Sequence, residues 1–131
     1  ESFIGDCTVI EAPAGPIYGD FIDNNVPEGC ERVIIKGRGR AYFSENGAFA
    51  LASLGVKLVG TDSNSVGTQG AQTGPHRAFL GANIPLLEGL NLDDVAPGNY
   101  FLVAPPLKID GVEAAPTRAL LIEDYLFWGK K

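Results

Sequence analysis

The stretch from Arg32 to Gly60 constrains the fold more than any other, because its residue pattern changes twice. Arg32-Val-Ile-Ile-Lys36 is β-branched and apolar on both faces, as expected of a strand in a sheet covered on both sides. Ser44 can N-cap a helix that runs to Leu54, with Gly55 as its stop. That helix places Phe49, Ala50, Leu51 and Leu54 near one stripe, although Gly47 lowers its intrinsic helix tendency. Val56 to Gly60 follows at once as a second strand. Strand, short helix, strand is the rhythm of an α/β protein.

The rest of the chain is punctuated in the same way. Seventeen glycines and nine prolines are spread along it, so many short strands and turns are expected rather than long helices. Asp6 to Glu11 reads as a strand ended by Ala12-Pro13, and Pro16 to Pro27 as loop with a short helical turn at Phe21-Ile22. A short helix is expected from His76 to Asn83, a buried strand from Ile84 to Glu88, and a turn at Leu92 to Val95. Tyr100 to Ala104 is a strand broken by Pro105-Pro106, and Ala119 to Glu123 is the last strand. The aromatic tail from Leu126 carries Trp128, expected to pack against the body or a second subunit.

A chain of 131 residues is one domain of modest size, large enough for a core without disulfides or metals as staples. Its 45% hydrophobic content excludes disorder, and no apolar run approaches the ~20 residues of a membrane-spanning helix. The formal charge of −6 argues against a nucleic-acid surface, which needs clustered Lys and Arg. The basic cluster Lys36-Gly37-Arg38-Gly39-Arg40 reads as a solvated strand end or turn, with an anion-binding loop as the alternative. Cys7 and Cys30 are too few for a disulfide framework, and Cys7 sits in an apolar run as a small buried hydrophobe. No signal peptide opens the sequence, so a cytoplasmic location is expected.

His76 is the single histidine, and its side chain alone has an ordinary pKa near neutrality. A lone histidine can be structural. Here it follows Gly-Pro in a loop, and Glu88 lies twelve residues on, at the rim of the apolar run Ile84 to Leu87. A carboxylate in that setting needs a partner: Arg77, Arg118 or a metal ion. His plus Glu offers a nitrogen and an oxygen suited to Zn²⁺ or Mn²⁺, but a catalytic site ordinarily has three or more protein ligands and an open position. The polar segment from Thr61 to Gly67, with Asp62, Ser63 and Ser65, lies past the carboxyl end of a strand, where ligands sit in open α/β sheets. Asp and Ser there can equally cap a turn. A serine hydrolase is disfavoured, because no Gly-x-Ser-x-Gly elbow surrounds Ser63 or Ser65.

Taken in order, Val56-Lys-Leu-Val-Gly-Thr-Asp62-Ser-Asn-Ser65, His76-Arg-Ala-Phe-Leu-Gly81 and Ile84-Pro-Leu-Leu-Glu88-Gly-Leu90 resemble the cyclase family of metal-dependent hydrolases. That family includes the bacterial kynurenine formamidases, or arylformamidases. Pro97-Gly-Asn-Tyr-Phe-Leu-Val-Ala-Pro-Pro-Leu107 and Ala115-Pro116-Thr-Arg118-Ala119 match its closing pattern, so the resemblance covers nearly the whole chain. It implies an α/β fold of three β/β/α layers, of the swivelling type. It also implies a divalent metal, zinc or manganese, that activates water against a small amide: an N-formyl aromatic amine, or alternatively a lactam- or isatin-like cyclic amide. By the same resemblance His76 and Glu88 are metal ligands, Asp62 and Ser65 line the site, and Arg118 supports it. The family's signature His-x-Gly-Thr-His-x-Asp-x-Pro, which brings the remaining ligands and the acid/base histidine, is absent from these residues. The resemblance therefore implies a chain equivalent to the later two thirds of such a domain, consistent with its start at Glu1 without methionine. The expected partners are a small-molecule substrate and further copies of the chain in a homo-oligomer, with no nucleic acid and no membrane. A non-catalytic ligand-binding or assembly domain of the same fold is the reading from a different class.

Overall fold

All five residues of the Arg32–Lys36 strand are buried, and the rest of the molecule is arranged around that strand. The computed structural model describes residues 2–68, 70, 73–105 and 118–123. In chain order these form β1 (Ile4–Glu11), β2 (Gly15–Ile17), α1 (Gly19–Asn25), β3 (Arg32–Lys36), β4 (Ala41–Phe43) and α2 (Glu45–Ala52). After them come β5 (Leu58–Thr61), α3 (Thr73–Gly81), β6 (Leu86–Leu87), β7 (Gly98–Val103) and β8 (Leu120–Ile122).

A six-stranded sheet runs in the order β6-β5-β3-β1-β7-β8, and β2 pairs with β4 in a second, two-stranded sheet. The strands β6, β5, β3 and β1 are mutually parallel, whereas β7 and β8 join antiparallel beyond β1. This mixed α/β arrangement agrees with the fold class expected from the strand–helix–strand rhythm.

Side chains alternate across the sheet, because successive residues of a strand face opposite ways. Val33, Ile35 and Val59 join Ile22, Ala48, Leu51 and Phe79 in the core beneath the helices. Ile34 and Leu58 join Cys7, Val9, Tyr100 and Leu102 in a second core on the other face. Apolar content on both faces of β3 is thus accounted for by two separate cores. Cys7 is buried as its apolar run predicts, and burial above all, then the nearby Cys30, pushes its thiol up to about 12.

Several elements differ from the sequence expectation. Ser44 does cap α2, its side chain accepting from the Gly47 amide at 3.0 Å. The buried stripe, however, is Gly47, Ala48 and Leu51; Phe49 and Leu54 are about half exposed. The cause is Gly47: a Cβ there would overlap the Ile17 carbonyl oxygen, so the bare backbone is what lets α2 press against β2. The strands β2 and β4 were not expected, since each has three residues and Pro16 sits inside β2. The turn expected at Phe21-Ile22 is a seven-residue helix, α1. The His76 helix begins earlier, at Thr73, and of the expected strand Ile84 to Glu88 only Leu86–Leu87 pairs with β5. The Trp128 tail and segment 106–117 lie outside the described residues. No helix among the described residues is long and apolar enough to cross a membrane.

Candidate functional site

Glu88 follows β6, which pairs with Val59 and Gly60 of β5. A left-handed Gly89 (φ +71°) turns the chain, and two backbone bonds hold the turn to the end of β5. The Gly89 amide donates to the Ser63 carbonyl at 2.7 Å and the Leu90 amide to the Thr61 carbonyl at 3.1 Å. Glu88 therefore leaves a well-anchored backbone.

His76 comes from α3, one residue after Pro75, whose missing N–H is harmless in a first helical turn. The helix is fixed by Phe79, fully buried, whose ring meets Phe43 edge-on with centroids 5.1 Å apart. Twelve residues apart in sequence, the His76 and Glu88 side chains meet: Nε2 lies 3.0 Å from Oε2. The same Oε2 accepts from the Val66 amide at 2.9 Å, and the Val66 carbonyl accepts from the Phe43 amide at 2.7 Å. With Glu88 ionised, the carboxylate accepts and His76 Nε2 is the donor in this contact. Phe43 thus serves both halves, packing against the His76 helix and holding the amide that steers Glu88.

The side chains of His76 and Glu88 retain 31% and 29% of their exposure, so both can be reached from solvent. Two donors about 2.1 Å from one tetrahedral ion stand about 3.4 Å apart, so a small opening of the pair would admit a divalent cation. Nitrogen with carboxylate oxygen suits zinc or manganese. Among the described residues no group of three His, Cys, Asp or Glu could hold a metal. The pair fits two coordination positions and not a complete centre.

The other residues expected at the site are placed as follows. Asp62 lies just past β5, but its carboxylate is engaged by the amides of Gly37 (3.0 Å), Arg38 (2.8 Å) and Gly39 (3.2 Å). The Lys36–Arg40 cluster is therefore a turn and an anion-binding loop at once, with Asp62 as its anion. Ser65 Oγ accepts from the Gly67 amide at 3.2 Å, a local turn contact within the segment that presents Val66. Buried Ser63 bridges to β4, donating to the Ala41 carbonyl at 2.7 Å. Arg118 is exposed two residues before β8, at the opposite edge of the sheet from β6. What the sequence did not disclose is the Val66 amide, since a backbone donor has no side-chain signature.

The described chain is thus an α/β domain in which His76 and Glu88 meet just past the carboxyl end of β6. Several solved structures share the fold. A potential metal-dependent hydrolase with cyclase activity has a TM-score of 0.82 and 30% identity, covering 92% of this chain and 65% of that one. A predicted metal-dependent hydrolase from Bacillus stearothermophilus has a TM-score of 0.84 and 28% identity, covering 92% and 64%. In sequence, the kynurenine formamidase of Sphingopyxis alaskensis is 36% identical over 134 residues, covering 92% of this chain and 64% of the relative. No family model matches. Over most of its own length the chain is thus similar to metal-dependent hydrolases, one of them with cyclase activity, and to a kynurenine formamidase. It spans just under two thirds of the length of the curated relatives it matches (64% of the first).

Proposed function

We propose that this chain serves a metal-dependent amide hydrolase acting on a small N-formyl aromatic amine, with His76 and Glu88 as two donors to a zinc or manganese ion. The observation that carries the reading is the approach of His76 Nε2 to Glu88 Oε2, 3.0 Å apart and open to solvent, in a chain related to formamidases. When bound, such an ion polarises a carbonyl and lowers the pKa of its water. The chain's own residues hold and aim the donors. The Val66 amide fixes which Glu88 oxygen faces His76, and Phe79 on Phe43 fixes the helix that carries His76. Ser65 shapes the loop presenting that amide. In this reading the other ligands and the acid/base histidine come from residues other than those described, and the working enzyme is a homo-oligomer in the cytoplasm.

The test uses the protein as encoded by its complete gene. Elemental analysis should find zinc or manganese bound, and formate should be released from N-formylkynurenine. His76→Ala and Glu88→Gln should each weaken metal binding by more than about 100-fold, since even loss of an outer-shell partner typically costs 10- to 100-fold. Stoichiometric metal in His76→Ala would contradict the ligand assignment. Metal-free protein without formamidase activity would favour a non-catalytic binding or assembly domain.

A further inference from the structure

Three backbone amides converge on Asp62, and this arrangement reaches further than a capped turn. The loop from Gly37 to Arg40 is closed by the Arg40 amide on the Gly37 carbonyl at 3.0 Å. Arg38 and Gly39 both take left-handed backbone (φ +55° and +76°), which turns successive N–H groups to one side. Gly37 must be glycine, because a Cβ there would overlap that of Ala41. The resulting concavity calls for an anion, and both Asp62 oxygens fill it: Oδ1 takes the amides of Gly37 and Gly39, Oδ2 that of Arg38. Hydrogen bonds to an ionised acceptor are about twice as strong as neutral ones.

The residues on either side of Asp62 carry the consequence. Thr61 and Ser63 offer the carbonyls that receive Leu90 and Gly89, the two residues immediately after Glu88. Asp62's own amide reaches back to the Ile35 carbonyl at 3.3 Å. Ser63 is pinned twice more, by its amide on Thr61 Oγ1 (3.1 Å) and its hydroxyl on the Ala41 carbonyl (2.7 Å). The path runs from the 37–39 loop through Asp62 to the shelf on which Glu88 hangs. His76 is held from a different element, α3, through Phe79 on Phe43. A change at Asp62 therefore moves one member of the pair relative to the other.

We infer that Asp62 is a positioning residue for Glu88, acting as the internal anion of the 37–39 loop and setting the Glu88–His76 spacing from behind. The inference rests on reading that pair as metal donors. Its test compares Asp62→Asn, which keeps the shape and removes the charge, with Asp62→Glu, which restores a carboxylate. Glu11→Gln serves as control: it breaks the exposed Arg38–Glu11 pair (2.7 Å) and leaves the loop amides alone. Mn²⁺ titration of the complete protein should show affinity about 10- to 100-fold lower in Asp62→Asn, partial rescue in Asp62→Glu and no change in Glu11→Gln. Amide hydrogen exchange should quicken at residues 37–39 and 89–90 in Asp62→Asn, while β3 stays protected. Unchanged exchange at 89–90 overturns the inference whatever the metal does. So does Mn²⁺ affinity within twofold of wild type in Asp62→Asn when His76→Ala has lost it. Mn²⁺ binding that survives His76→Ala overturns instead the donor assignment on which the inference rests.

Discussion

Replacing Gly47 with alanine tests how the site's supporting helix is seated, because two rules give opposite signs. Gly47 lies inside α2, and helix propensity alone favours alanine there by about 1 kcal/mol. The packing says otherwise. The new methyl would overlap the Ile17 carbonyl oxygen and stand 3.2 Å from Ser44 Oγ. That carbonyl already accepts two hydrogen bonds, from the Ser44 amide at 3.1 Å and the Ser44 hydroxyl at 2.9 Å. If it retreats, each bond weakens by some part of its usual ~1 kcal/mol, and β2 must slide against β4. Forcing a methyl into a packed contact costs about 1–3 kcal/mol. Adding about 1 kcal/mol for the two weakened bonds and subtracting the propensity gain of about 1 kcal/mol leaves Gly47→Ala destabilising by about 1–3 kcal/mol. Gly74→Ala in α3 is the matched comparison. Its methyl meets only the exposed Glu45 side chain, at 3.1 Å, which can swing aside. That variant should be neutral or up to about 1 kcal/mol more stable. Urea unfolding followed by far-ultraviolet circular dichroism gives both values, read as a shift of midpoint at constant m. A Gly47→Ala protein as stable as wild type would refute the claim that backbone contact at Gly47 seats α2.

Two further outcomes are expected. Phe79→Ala removes a fully buried ring stacked edge-on against Phe43 and should be destabilising by about 3–5 kcal/mol in the same urea assay; a loss below 1 kcal/mol would mean that the α3 contact is incidental. The fold raises the Cys7 thiol from 9.0 to about 12, favouring its neutral form. That stabilisation is complete below pH 9 and declines as pH rises from 9 towards 12, with a slope of up to about 1.4 kcal/mol per pH unit. Cys7→Ala should flatten the alkaline limb of the stability–pH curve measured from pH 8 to 11, and an unchanged limb would place its origin elsewhere.

The elements legible in the sequence are those whose signal is local and side-chain based. Arg32–Lys36 declares itself by β-branched residues on both faces, and Ser44 by its capping chemistry; both stand where expected. The strands β2 and β4 did not, because three residues carry too little alternation, and β2's place is set by its partner and by α2. The stripe of α2 was misread for a related reason. Apolar periodicity pointed to Phe49 and Leu54, but the helix turns its glycine inward, a choice fixed by backbone proximity to Ile17. At the site, residue type and spacing singled out His76 and Glu88. Their hydrogen bond depends on a tertiary frame, Phe43 with Val66 and Phe79, that no spacing encodes.

Backbone amides also separate the two acids that the sequence placed near one site. A carboxylate has about four acceptor positions. Three backbone N–H donors already occupy three of those of Asp62, and moving it onto a cation would leave a loop of left-handed residues without its anion. Glu88 receives one amide, from Val66, and shares the same oxygen with His76, so it keeps acceptor capacity directed towards solvent. The same chemistry thus separates the two residues: three amides make Asp62 part of the frame, and the single amide on Glu88 leaves it the acceptor capacity that its proposed donor role requires. Asp62→Asn should therefore loosen the frame while sparing both proposed donors, whereas Glu88→Gln should remove a donor and leave the 37–39 loop intact. Hydrogen exchange at Gly37 to Gly39 distinguishes the two variants directly, and equal quickening in both would contradict the division.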